Sequence, residues 1–175
     1  MSNEIALVRL RVLVGKRLCL TRRSLDVRQF HFGDLTIDGQ ERWGEWALHV
    51  ACPWRVDGPT GLIAGSSDIH HPPSWGRDER SNGTVSDRVS LQDEALASWM
   101  KGEIDPPSEV TNGNDVLTVE NVWVDKRMTT TVTLADRSTI TVMPAGVRDE
   151  AWRFFQPDGE ERHLVIVGDL IETDE

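Results

Sequence analysis

Tyrosine is absent from this chain, cysteine occurs only twice, and no apolar run approaches the roughly 18 residues that a membrane-spanning helix needs. With Cys19 and Cys52 alone, a disulfide-framed scaffold is excluded and reduced thiols are expected. The first residues, Met1-Ser2-Asn3-Glu4, carry neither the basic stretch nor the small-residue cleavage site of a secretory signal, so a cytoplasmic location is the expectation. Phosphate-binding glycine loops of the Gly-x-x-x-x-Gly-Lys-Ser/Thr and Gly-x-Gly-x-x-Gly types are missing, and so is a Gly-x-Ser-x-Gly elbow. Nucleotide-dependent enzymes and ordinary α/β-hydrolases therefore drop back as function classes, and no cofactor is implied. The chain also lacks internal repeats.

What remains is a 175-residue sequence, the length of one ordinary domain, with enough apolar side chains to bury a core. Its net charge of -10 is unevenly spread. Residues 1–32 hold seven basic groups (Arg9, Arg11, Lys16, Arg17, Arg22, Arg23, Arg28) against Glu4 and Asp26, a balance of +5, so the rest carries -15. An acidic surface repels phosphates and attracts cationic partners. Nucleic-acid binding is thus disfavoured unless the N-terminal segment forms a basic patch, and a protein partner with a basic surface is the better expectation. The plainer alternative is that the acidic excess only keeps the chain dispersed.

Ser2 or Asn3 can cap a helix that ends at Gly15, although Val8-Arg9-Leu10-Arg11-Val12 alternates as a strand does. Leu18 to Thr21 and Asp26 to Phe32 read as strands joined near Arg23-Ser24, and the turn signals Gly33-Asp34 and Asp38-Gly39 bracket a short strand, Leu35 to Ile37. Glu45 to Cys52 is the clearest strand, with Trp46, Leu48, Val50 and Cys52 on one face. Gly61 to Gly65 follows as a hairpin partner of Trp54-Arg55-Val56. Residues 66–89 form a long loop. Ser90 caps a helix over about 91–100 with Asp93 three residues on, 102–115 is a connector, and an antiparallel meander fills the remainder. The fold class expected is α+β, a mainly antiparallel β-sheet with an N-terminal helix and one middle helix in a single domain.

The segment Gly44-Glu45-Trp46-Ala47-Leu48-His49-Val50-Ala51-Cys52-Pro53-Trp54-Arg55, followed by Ser67-Asp68 and by Glu150-Ala151-Trp152-Arg153-Phe154-Phe155, resembles a family of small, uncharacterised bacterial proteins. The likeness takes in Gly15-Lys16 and Phe30-His31-Phe32-Gly33, and so spans most of the chain. It implies no activity or ligand. In style, as a small acidic α+β chain rich in Trp, the sequence is also similar to immunity proteins that neutralise bacterial toxins.

Seven tryptophans stand out. Trp46 and Trp152 read as core anchors; Trp43, Trp54 and Trp75 lie near turns or the long loop, where an exposed indole could anchor a partner, though core packing stands ahead of that reading for Trp43 and Trp54 and level with it for Trp75. Asp68, His70 and His71 form the most metal-like cluster, short of the four ligands and spacing of a structural zinc site. His49 and Cys52 suggest an activated thiol, but three residues apart on a strand they face opposite ways. His31 and His49 would share one sheet face, lining a polar groove with Gln29 and Glu45, if their two strands are neighbours. The function expected first is a non-catalytic protein-binding module, with toxin neutralisation as its instance. The alternative is a metal- or small-ligand-binding protein, or an enzyme, using residues 68–71 or the His31 and His49 face. Homo-oligomerisation stays open.

Overall fold

The ambiguous N-terminal segment is a helix because its buried side chains recur at helical spacing. In the computed structural model, which describes residues 2–76, 88–105 and 107–172, α1 spans Ser2–Leu10 and a 3₁₀ turn, Arg11–Leu13, extends it. Ala6, Leu10 and Leu13 are fully buried, four and three residues apart, whereas Val8 is 64% exposed. A strand would have buried Val8 with Leu10 and Val12.

Two antiparallel strands follow, β1 (Leu18–Ser24) and β2 (Val27–Asp38), with the turn at Leu25-Asp26, just past the bend expected near Arg23. The turn signal at Gly33-Asp34 does not end β2. A bulge between Phe32 and Leu35 absorbs it, with Gly33 at φ +86°, and the strand runs on to pair with β3 (Glu41–Val50) along its whole length. After β4 (Trp54–Gly58) and β5 (Gly61–Gly65), short 3₁₀ turns at Ser66–His70 and Ser74–Gly76 occupy the start of the expected long loop. Its residues 77–87, like the tail 173–175, lie outside the described residues. Helix α2 spans Leu91–Met100. The expected connector holds two short strands, β6 (Ile104–Asp105) and β7 (Glu109–Thr111). The meander is β8 (Val119–Val124), β9 (Thr130–Leu134) and β10 (Thr139–Val142), and the chain closes with β11 (Glu150–Phe155), β12 (Leu164–Val167) and β13 (Leu170–Glu172).

These strands make two antiparallel sheets, one ordered β13-β12-β11-β3-β2-β1-β7-β6 and the other β5-β4-β10-β9-β8. The fold is therefore α+β and mainly antiparallel, with an N-terminal and a middle helix, as the sequence implies. Both sheets contribute to one core: Phe30, Trp46, Leu48, Trp152 and Phe154 from the larger, Trp54, Val56, Val132 and Ile140 from the smaller. Phe30 meets Trp54 edge-on with centroids 5.4 Å apart, and the Trp152 indole N–H donates to the Met128 carbonyl. Trp54 is thus a core residue, 2% exposed, and not the partner anchor it was a candidate for. Strand β4 turns this indole inward. Among the described residues no helix is long and apolar enough to cross a membrane.

Helix α2 docks through charge as well as apolar contact. Ser90 caps it and exchanges bonds with Asp93 as the sequence indicates, but the same carboxylate also meets Arg28 at 2.7 Å and Arg23 at 3.3 Å, all three side chains almost wholly buried. Gln92 accepts from Arg28 and donates to the Gly65 carbonyl. Burial pulls the Arg28 guanidinium down to about 10, and Asp93 opposes that shift, so Arg28 stays charged at neutral pH. Replacing Asp93 by Ala removes the buried carboxylate that Arg23 and Arg28 share and is expected to cost about 3–5 kcal/mol in urea unfolding. A loss below about 1 kcal/mol, the range of exposed pairs, would show that water reaches the triad.

Candidate functional site

Alternation along the central strands of the larger sheet sends Phe30, Trp46 and Leu48 into the core, so Gln29, His31, Ala47 and His49 face outward. Strands β2 and β3 are neighbours, with Gln29 opposite His49 and His31 opposite Ala47. On the other side of β3, β11 places Arg153 opposite His49 and Phe155 opposite Ala47. The strand adjacency on which the His31 and His49 pairing depends is present, and the two rings meet with centroids 6.0 Å apart. The row continues beyond them. His49 meets the Phe155 ring edge-on at 4.8 Å, and Phe155 stacks on His163 at 4.2 Å.

Beside this row lies an open pocket of about 290 Å³, with Arg22, His31, Trp43, His49, Phe155 and Asp158 on its lining. Next to the β2 bulge, the Gly44 N–H donates to His31 Nδ1 at 3.2 Å. That fixes the tautomer: Nδ1 is the acceptor, so Nε2 carries the proton. Nε2 is buried and has no hydrogen-bond partner. Gly44 itself has no room for a side chain, since a Cβ would lie 2.8 Å from the Cys19 Sγ and from the Phe32 carbonyl oxygen. Arg22 Nε donates to Gln29 Oε1 at 2.7 Å, and the Trp43 indole N–H donates to Asp158.

Burial dominates the acid–base behaviour here. It lowers His31 to about 3 and His49 to about 4, helped in both by the positive charge of Arg22. Both rings are neutral at physiological pH. Burial also raises the Cys19 and Cys52 thiols to about 12, so neither is an activated nucleophile.

The other candidates fall elsewhere. Glu45 is drawn out of the groove into an ion pair with Lys16 at 2.7 Å. Asp68 accepts from the Gly65 N–H at 2.8 Å, closing the 3₁₀ turn at its own position, while His70 and His71 are exposed. Among the described residues no three His, Cys, Asp or Glu side chains are grouped to hold a metal ion, so the residue 68–71 cluster is not assembled as a site. Trp43 lies half-buried on the pocket wall; Trp75 is 69% exposed. Sequence reasoning did not single out Arg22, Phe155, Asp158 or His163 for this site, nor Trp123, 59% exposed on β8. Only the outward parity of Phe155 beside Trp152 and Phe154 hinted at its role.

Six of the seven N-terminal basic groups find carboxylates: Arg9 with Glu161, Lys16 with Glu45, Arg17 with Asp115, Arg22 with Glu41 and Glu109, and Arg23 and Arg28 with Asp93. These pairs tie the basic groups of the segment to carboxylates from elsewhere in the chain. No family model matches the chain, and neither a curated protein nor a solved structure matches it.

An imidazole neutral in the fold but free to protonate when unfolded lets the unfolded chain bind more protons below the ordinary value of 6.5, so stability falls as pH drops through that value. Urea unfolding at pH 7, 6 and 5 is expected to show this loss, up to about 1.4 kcal/mol per pH unit for each histidine. His31→Gln keeps an acceptor for the Gly44 N–H and removes one of the two contributions. An unchanged pH slope in that variant means that His31 protonates freely in the folded chain.

Proposed function

We propose that this chain is a non-catalytic binding protein of the cytoplasm whose partner is a protein with a basic surface, in the manner of an immunity protein that neutralises a bacterial toxin. The observation that carries this reading is the fate of the basic groups. Because six of seven in the N-terminal segment are engaged by carboxylates of the same chain, that segment sets little concentrated positive charge against the net charge of -10. Such a field speeds encounter with a cationic surface and slows it with phosphate backbones.

Two further features support a contact role. The groups that a proton-transfer site would use are held neutral, His31 and His49 by lowered values and the two thiols by raised ones. Trp75 stands on a 3₁₀ turn whose Ser74 N–H donates to Glu94 on α2 at 2.7 Å, so a largely exposed indole is presented from an anchored backbone. That bond and the Ser74 hydroxyl also keep the Glu94 carboxyl below its ordinary value.

The test is co-purification from the native host, followed by titration of the recovered partner at two ionic strengths. Association with a basic protein should slow by about tenfold or more between low and physiological salt. Trp75→Ala should weaken it by about 2 kcal/mol if the indole is a hot spot. A partner with an acidic surface, or binding indifferent to salt, contradicts the proposal.

A further inference from the structure

The pocket on the outer face of the larger sheet contains more than an acidic protein needs in order to attract a basic one. Its most telling atom is His31 Nε2. This proton-bearing nitrogen is buried, has no partner, and belongs to a residue on the pocket lining, while the opposite nitrogen is committed to the β3 backbone. A buried donor left unmade costs about 1–3 kcal/mol, so an acceptor brought to it gains what the empty fold forgoes. The surrounding walls are flat: Trp43, His49 and Phe155 supply rings. The register puts the small side chain of Ala47 between His31 and Phe155, which keeps the space between those rings open.

Charge then selects among flat molecules. Arg22 is the cation on the lining, and it is balanced by Asp158 there and by Glu41 and Glu109 at 3.7 and 3.9 Å from its Nη1. A carboxylate or phosphate entering the pocket gains a guanidinium that already has carboxylates beside it, and it meets Asp158 on the lining. An uncharged ring loses nothing to them. A carbonyl oxygen suits the His31 and Arg22 donors, and a ring N–H suits the Asp158 carboxylate, one of whose oxygens already accepts from Trp43. The volume of about 290 Å³ sits at the small end of ligand pockets and suits a single ring.

We propose that this pocket binds a small, flat, uncharged heterocycle carrying a carbonyl oxygen beside a ring N–H, the edge that a free pyrimidine base presents. The site is separate from the protein-partner reading and does not rest on it. Because Nε2 does not touch solvent, a ligand reaches it only through a side-chain rearrangement at the pocket wall.

Titration of the full chain with uracil, followed by nuclear magnetic resonance of the histidine rings and the Trp43 indole N–H, tests the assignment. Uracil should shift the His31, His49 and Trp43 signals with a Kd on the order of 1 mM or tighter. Benzoate, as flat but anionic, and benzyl alcohol, flat without a carbonyl, should each bind at least about tenfold more weakly, the size of one lost hydrogen bond to a charged or buried donor. Arg22→Gln should weaken uracil by about tenfold; Asp158→Asn, on an exposed turn, should weaken it while leaving unfolding unchanged. Trp75→Ala, which does not line the pocket, should bind uracil as the parent does while binding the protein partner more weakly. Absence of shifts at these three residues overturns the assignment, as does benzoate binding as tightly as uracil, or uracil binding that survives both Arg22→Gln and Asp158→Asn.

Discussion

Two guanidiniums and one carboxylate share the buried space where α2 meets the β1–β2 hairpin, and the orientation of the larger sheet follows from how they settle. Asp93 is held 65 and 70 positions along the chain from Arg28 and Arg23, with side-chain exposure between 0 and 1% for all three. Arg23 and Arg28 are cross-strand partners. One carboxylate therefore clamps a single rung of the hairpin from its inner side. A slip of one residue would turn both arginines outward and carry Arg22, Gln29 and His31 into the core. An isolated charge cannot be buried without compensation, so the triad rejects that slip more firmly than apolar packing alone. Ser90, Gln92 and the carbonyls of Leu25 and Arg88 take up further donors and acceptors, and the Arg28 guanidinium lies 6.0 Å from the Trp54 ring.

The same economy of charge governs the surface. An arginine-rich segment opens the chain and an acidic body follows, a composition that in an extended polymer would read as two blocks of opposite sign. Folding interleaves them. Arg17 reaches Asp115 and the Asn112 carbonyl, Arg42 bridges Asp105 and Glu109, and Arg9 reaches Glu161 and the Arg162 carbonyl. Exposed pairs of this kind contribute little individually to stability. Their effect is on the field, because they neutralise the cations locally and leave the carboxylate excess to set the long-range potential.

How much of this was legible beforehand depended on the range of the interaction. Short-range periodicity sufficed for the inner face of β3, where Trp46, Leu48 and Val50 alternate, and for α2, whose Ser90 and Asp93 signal their own capping. It did not suffice for β2, because a bulge and a turn both call for Gly33-Asp34 and only the partner strand decides between them. Nor did it reveal that Asp93 would be shared with two arginines, since a capping residue looks the same whether or not its free oxygens are used. The pocket split along this line. His31 and His49 were paired on the condition that β2 and β3 touch, which they do; Phe155 and Asp158 arrive from more than a hundred residues away through the β3–β11 pairing, which no local pattern reports. For Trp54 and for Asp68, His70 and His71, proximity to a proline or within a loop left the direction of the side chains open; the fold buries Trp54 and leaves His70 and His71 exposed.

The stretch Gly44 to His49 shows why the most distinctive run of the chain is also the one that shapes the pocket. A strand with one solvated face constrains every second residue; this one is constrained on both. Gly44 has to be side-chain-free because the bulged β2 backbone and Cys19 press against it, and its N–H is what commits His31 Nδ1. Trp46 stacks on Phe154 with centroids 5.0 Å apart on the core side. Ala47, on the other side, is small where a larger residue would fill the space between His31 and Phe155. His49 then closes the row of rings. A segment so determined tolerates few substitutions without loss of either the core or the opening, so its unusual sequence follows from geometry on two faces at once.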